Sequence, residues 1–263
     1  MNHDRIDWID WAKTLCIFFM VCGHSNPFPL FHDFVYLFHM PVFFIITGIL
    51  YKPKSIKQLI NTLIVPTIIW NIINYPWYLT NIIGHKICSY EDFLIKPILG
   101  LVIHDFDTGT PICGSFWFVL VIFILRVTHP IINKLKIIQF IFIIFCLFTA
   151  YYSNQDPEKG ILFLPQRAII AYPFFLIGIY IKKHMTLLSM TKQWSIGLFL
   201  LSFITLFLFS FYLGTFDLYN CNLNYFPAYY FLGITGFIFI YIISYLKSAT
   251  KLFSVLLASK RPL

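Results

Sequence analysis

Long apolar runs separated by short polar stretches make up almost the whole chain. A helix that crosses a bilayer needs roughly 20 largely apolar residues, and eight runs qualify, at about 8–27, 34–51, 58–80, 116–133, 137–153, 161–181, 194–213 and 226–246. The first is the weakest, because Asp10 and Lys13 lie at its start. Between the third and the fourth, residues 81–115 hold an apolar piece, Phe93–Ile103, that is too short to span and reads as an interfacial or re-entrant segment. No internal repeat, low-complexity tract or soluble domain longer than a loop breaks the series. The pattern predicts an all-α polytopic membrane protein of about eight transmembrane helices, multi-pass in the inner (plasma) membrane of the cell.

The connecting stretches supply an orientation. With the N-terminus inside, the inner side carries Arg5 and Lys13, then Lys52, Lys54 and Lys57, then Lys134 and Lys136, then Lys182, Lys183 and Lys192, and finally Lys247, Lys251, Lys260 and Arg261. The outer side carries only Lys86, Lys96 and Lys159. Each connection obeys the positive-inside bias separately, so eight crossings with both ends inside (N-in/C-in) are expected, and omitting one helix would invert every later loop. Most acidic residues, Asp33, Asp107, Glu158 and Asp217 among them, then fall outside, which fits this orientation but hardly sets it. Cys88, Cys113 and Cys221 also land outside, while Cys16, Cys22 and Cys146 sit within helices; nothing in the spacing demands a Cys88–Cys113 bridge.

Composition removes other classes. The 263 residues are 59% hydrophobic and 20% aromatic, with only 11% charged, and a mean hydropathy of +0.78 leaves too little polar surface to coat a soluble core. A net charge of +8 would suit nucleic acid if the basic residues clustered on one soluble face, but they fall between apolar runs, so lipid and not nucleic acid is the expected partner. Asp4, Asp7 and Asp10 at the start, and the lack of a small-residue cleavage site after the first apolar run, argue against a cleavable signal peptide. No Gly-x-Ser-x-Gly, phosphate loop, dinucleotide fingerprint or metal-spaced Cys/His set is present, and neither a metal nor a bound cofactor is expected.

Six ionisable residues lie in or at the ends of apolar helices, where a charge costs several kcal/mol unless it meets a partner or a wet cavity: Asp10, Lys13, His24, His39, Arg126 and Arg167. Lys13 and His24 are eleven residues apart, which puts them about 20° apart around a helix and about 16 Å apart along it. Asp10, three residues before Lys13, can pair with its ammonium. A lone intramembrane histidine is usually a packing residue; His24 stands out because a second imidazole, His39, begins the next helix at a similar depth. Imidazole is well placed to take a proton from a hydroxyl near neutral pH. Asp7 reads as a solvated N-terminal acid. Arg126 either snorkels toward Lys134 or faces a partner. Arg167 is read near the middle of its helix, facing a partner or an anionic ligand. His32, His85, His104, His129 and His184 have no partner that the sequence names.

Three blocks carry a resemblance: Ile6-Asp7-Trp8-Ile9-Asp10-Trp11-Ala12-Lys13, then Val21-Cys22-Gly23-His24-Ser25, then Phe38-His39-Met40-Pro41-Val42-Phe43-Phe44-Ile45-Ile46-Thr47-Gly48. Together they resemble the opening of the acyltransferase 3 family of integral membrane acyltransferases, most closely its fucose 4-O-acetylase-like branch. Ser115-Phe116-Trp117-Phe118-Val119 and Arg167 followed by Pro173-Phe174-Phe175-Leu176-Ile177-Gly178 extend the likeness over nearly the whole chain. The family's basic residue, ten intervening residues and histidine fall on Lys13 and His24. Many members have Arg at the first of these, and Lys offers a point charge instead of a bidentate fork. Members usually carry two helices more than the eight read here, so residues 1–263 are expected to be one membrane-embedded acyltransferase domain, incomplete at its C-terminal end.

The resemblance implies transfer of an acyl group, most often acetyl from acetyl-CoA as donor substrate, to a sugar hydroxyl of a surface glycan or its lipid-linked precursor. On that reading His24 is the general base, with Asp10 and Lys13 as supporting groups or as part of the donor path. Substrate binding falls to His39, Trp117, Arg126 and Arg167. Arg167 would hold donor phosphate or developing negative charge, and Trp117 would stack on a sugar unless it only belongs to an interfacial aromatic belt. Two alternatives stand beside it. One is a secondary transporter of an anionic or sugar substrate, although the inverted repeats common in transporters are not seen. The other is an inactive, truncated relative.

Overall fold

The computed structural model describes residues 7–25, 27–84, 89–100, 116–155, 163–184, 192–223 and 225–248. They form α1 (Asp7–His24), α2 (Pro29–Tyr36), α3 (His39–Ile49), α4 (Ile56–Leu59), α5 (Val65–Gly84), α6 (Lys96–Gly100), α7 (Trp117–Ile132), α8 (Lys136–Gln155), α9 (Phe163–Lys183), α10 (Lys192–Leu213) and α11 (Phe226–Ser248). Two π-helical turns, Ile60–Ile64 and Glu91–Ile95, join α4 to α5 and lead into α6. The chain is all-α, with no β-strand among the described residues. Among the described residues six stretches are long and apolar enough to cross a membrane: Pro29–Ile49, Ile56–Thr80, Lys136–Ser153, Leu164–Lys183, Trp194–Leu213 and Phe226–Leu246. Trp117–Ile132 is apolar but shorter. The charge-bearing α1 is a helix of 18 residues without being one of the six.

One expected helix, 34–51, is in fact two. Helix formation starts earlier, at Pro29, whose fixed φ suits the first turn and whose missing N–H costs nothing there. It then breaks at Leu37 and Phe38, ahead of Pro41. Pro41 has no N–H to give to the Leu37 carbonyl, and its ring crowds that oxygen, which favours a break here, although Pro76, Pro130 and Pro173 lie inside helices that continue. The Leu37 and Phe38 N–H groups close α2 on Asp33 and Val35, and α3 starts at His39. Asp33 therefore lies in a helix and not in a loop.

The chain divides into two compact units. One comprises Met1–Leu50, Phe174–Asp217 and Leu223–Leu263, the other Tyr51–Pro173 and Leu218–Asn222. In the first, α11 packs on α1, α3 and α10, and α2 packs on α1 and α10. Small residues set these approaches, as expected where lipid supplies no hydrophobic drive between helices. A Cβ on Gly236 would strike the Phe38 ring, and one on Gly233 would meet Phe174 and Pro41. At Gly48 and Gly178 the contact is between backbones: a Cβ on Gly48 would land on the Phe175 carbonyl oxygen, and one on Gly178 on that of Ile45. Around them Phe38, Phe34, Phe239 and Phe19 interlock edge to face at 5.5 to 6.1 Å.

In the second unit the π turn at Ile60–Ile64 packs on α7. Ser55 caps α4 reciprocally: its hydroxyl accepts the Gln58 N–H, and its own N–H donates to the Gln58 side chain. The re-entrant piece expected at Phe93–Ile103 is described as far as Gly100, as a π turn followed by a short helix, with the Phe93 carbonyl accepting the Tyr75 hydroxyl. Polar side chains inside apolar helices satisfy themselves locally: Thr67 donates to Leu63 O and, in the first unit, Ser244 to Ile240 O. Ile69, Ile72 and Trp77 on α5, Phe140, Ile144 and Phe148 on α8, and Leu201, Ile204 and Leu208 on α10 are exposed. Those rows are the lipid-facing surface that the composition demands.

Candidate active site

The end of α1 and the α2–α3 break build a cluster in the first unit. His24, at the last turn of α1, is exposed. Its Nδ1 lies 3.2 Å from the Tyr36 hydroxyl, and its ring is 6.5 Å from that of His39. His39 is only 3% exposed. Because the helix restarts at this residue, the imidazole bends back and its Nδ1–H donates to the Val35 carbonyl at 3.0 Å, an oxygen that also accepts the Phe38 N–H. A carbonyl can only accept, which fixes the His39 proton on Nδ1 and directs Nε2 away from the helix end. The Tyr36 ring meets His39 edge to face at 4.9 Å and stacks on His32 at 4.1 Å. His32 Nδ1 in turn lies 3.4 Å from Asp33. Three imidazoles, a phenol and a carboxylate thus share one patch, with a base accessible at its edge.

The expected ion pair on α1 is present: Lys13 Nζ is 2.7 Å from Asp10 Oδ1. Trp8, Ile9, Ala12, Cys16 and Gly23 form the buried stripe of this helix, and Lys13 and His24 lie together about 90° round from its centre. Asp7 is exposed, as expected.

In the second unit Arg167 and Trp117 come together, with a third residue that the sequence did not indicate. The guanidinium lies 4.1 Å from the centre of the Tyr219 ring and 5.5 Å from that of Trp117, and Nε–H donates to the Tyr219 carbonyl at 2.6 Å. Arg167 is 1% exposed and Trp117 8%. As α9 begins at Phe163, Arg167 is in its second turn and not near its middle; it is buried by aromatic faces. Arg126 is half-buried on α7, in electrostatic contact with Tyr51. Burial pushes the Tyr51 phenol up and the guanidinium pulls it back. Tyr51 also meets His129 edge to face at 5.1 Å, and His129 Nδ1 lies 3.2 Å from the Tyr172 hydroxyl.

Sequence reasoning gave His32 and His129 no partners, and both have them. It also missed Tyr36, Tyr219 and Asp217, whose carboxylate acts electrostatically on the Tyr36 phenol. The signal for Tyr36 was its spacing, one helical turn before His39; nothing local marks Tyr219 or Asp217. His85, His104, Cys88 and Cys113 lie outside the described residues. Cys16, Cys22 and Cys146 are free thiols. Among the described residues no group of three or more His, Cys, Asp or Glu side chains converges to hold a metal ion.

An imidazole at the mouth of a histidine and tyrosine cluster, on a helix that also carries a buttressed ammonium, is the equipment of proton-transfer chemistry in a membrane protein. The sequence profile of the acyltransferase 3 family, an acyltransferase domain, matches residues 6–259. The chain belongs to the acyltransferase 3 family, and is a multi-pass membrane acyltransferase. Comparison with curated proteins and with solved structures gives no match.

Proposed function

We propose that this acyltransferase moves an acetyl group from acetyl-CoA to a hydroxyl of a sugar in a surface glycan or its lipid-linked precursor, at the inner (plasma) membrane. The observation that carries the reading is the accessible His24 imidazole, held at Nδ1 by the Tyr36 hydroxyl at 3.2 Å. His24 takes the acceptor's proton as its oxygen attacks the thioester carbonyl carbon. The C–S bond then breaks, and the proton passes to the leaving thiolate. Lys13, oriented by Asp10, supplies positive charge on the same helix. His39 lines the acceptor side next to His24. In the second unit we assign Arg126 to anionic groups of the donor and Trp117 to substrate contact. Arg167, engaged with Tyr219, acts by holding that segment in place.

The test follows labelled acetyl-CoA into cell-surface glycan. His24→Ala should abolish incorporation while membrane insertion is kept, because a lost general base costs on the order of a hundredfold or more. His184→Ala, at the end of α9 beside Tyr180, should retain it. Equal incorporation in the two variants would remove His24 from the mechanism, and none in the parent chain would favour the transporter or inactive readings.

A further inference from the structure

Asp33 is an acid in an apolar setting. It lies in Pro29–Ile49, a stretch long and apolar enough to cross a membrane, where a carboxylate costs free energy unless a partner or a wet cleft receives it. As the fifth residue of α2 it is past the first turn, so it does not answer the positive end of the helix dipole. Among the described residues no lysine or arginine forms an ion pair with it. Its partner is His32 Nδ1 at 3.4 Å, which is long for a hydrogen bond and leaves most of the carboxylate's lone pairs unused. Both side chains are part-exposed.

The rest of the patch ties this carboxylate to the proposed base. His32 and Tyr36 are four residues apart, on one face of α2, and their rings stack at 4.1 Å. Tyr36 carries the contact on to His24, with its hydroxyl 3.2 Å from Nδ1 and the ring centres 5.7 Å apart. Gly23 permits that reach. A Cβ there would stand 3.2 Å from a Val35 methyl carbon and 3.4 Å from a Tyr36 ring carbon, so α1 ends against α2 with no side chain between them. His24 is exposed, and Tyr36, His32 and Asp33 are part-exposed beside it, so one pyranose can touch both the base and the carboxylate. A carboxylate accepts hydrogen bonds and cannot donate them, and its two oxygens take two neighbouring hydroxyls at once. It repels a second carboxylate at the same place.

We propose that Asp33, held by His32, determines which sugar the site accepts: its carboxylate takes hydrogen bonds from hydroxyls of a neutral pyranose while another hydroxyl of that ring lies at His24, and it turns uronates away. This assignment rests on the sugar-acylating reading of the site. Asp33 touches the acceptor and takes no proton from it; the bond-making steps remain those at His24. Binding to the subsite is read without turnover.

The full chain in lipid nanodiscs tests this with the methyl pyranosides of glucose, galactose and mannose and with their uronates. Saturation-transfer NMR without donor reads binding: at least one neutral glycoside should bind the parent, and its uronate should not. Asp33→Asn should weaken the neutral ligand by about tenfold or more and narrow its margin over the uronate. The narrowed margin is a change that an unfolded variant would not show. Asp7→Asn, which removes an exposed acid of α1, should leave both unchanged. With labelled acetyl-CoA added, Asp33→Asn should raise KM for the neutral glycoside with kcat little changed. A parent that binds no neutral glycoside, or binds uronates as well, or a preference that Asp33→Asn does not move, would overturn the proposal. Asp33-dependent binding in a chain that transfers no acetyl would uphold the subsite while removing the proposed reaction; transfer with binding indifferent to Asp33 would do the reverse.

Discussion

Arg167 carries its charge at any ordinary pH, yet only 1% of it is exposed. The two aromatic faces and the Tyr219 carbonyl stand where water would be, and they require a flat, delocalised cation. Lysine keeps the charge but loses the plane and the Nε–H. Arg167→Lys should therefore lower stability by about 1–3 kcal/mol, read as a lower thermal midpoint in detergent; an unchanged midpoint would show that the planar fork is not used. The Asp10–Lys13 pair is different, with its side chains 31% and 41% exposed. Such a pair is worth about 0–1 kcal/mol, so Asp10→Asn should scarcely change the midpoint, and any large loss of acyl transfer it causes belongs to chemistry. Lys13→Arg should retain transfer if only the charge matters. Residue type and helical spacing made Asp10, Lys13, His24 and His39 legible in the sequence. Tyr219 and Asp217 were not, because they meet their partners through tertiary packing that no local pattern encodes.

Between α3 and α9, Gly48 and Gly178 let two backbones touch, and no side chain is there to turn aside. Gly48→Ala or Gly178→Ala should cost at least the usual overpacking penalty of about 1–3 kcal/mol. Gly197, on α10, has nothing within 4 Å of its would-be Cβ, so Gly197→Ala should be neutral or slightly stabilising through helix propensity. Equal thermal midpoints for the three alanine variants in nanodiscs would show that the close crossing contributes nothing. Helix positions could be read in advance because each long apolar run has only one way to satisfy its backbone in lipid. The division at Leu37 and Phe38 was not legible in the same way, because Pro41 orphans a carbonyl just as Pro76, Pro130 and Pro173 do, and those three lie inside helices that continue. The π turns at Ile60–Ile64 and Glu91–Ile95 have no comparable residue signature; they arise where packing tolerates one wider turn.

Orientation is a property of the whole molecule, and the expectation from the basic connections at Lys52–Lys57, Lys134–Lys136 and Lys182–Lys183 is that these ends face the inner side. Single cysteines at Ser55 and His184 should be labelled from the cytoplasm, and at Ser89 and Asn222 from outside; Ser55 and Ser89 reacting from one side would break the alternation. The 16 residues of α7 carry a further consequence. At 1.5 Å per residue they reach about 24 Å, whereas the hydrocarbon of a typical bilayer is about 30 Å thick. Where this helix meets lipid, a bilayer of that thickness would thin, or headgroups and water would dip inward, and hydrophobic mismatch of that kind costs fractions of a kcal/mol per ångström. The half-buried Arg126 lies on the same helix, where a thinned bilayer brings its charge nearer to water. Nanodiscs of short-chain lipids should therefore raise the thermal midpoint relative to long-chain ones, and the difference should shrink in Arg126→Leu, which would make the thickness of the membrane itself a control on the stability of this protein.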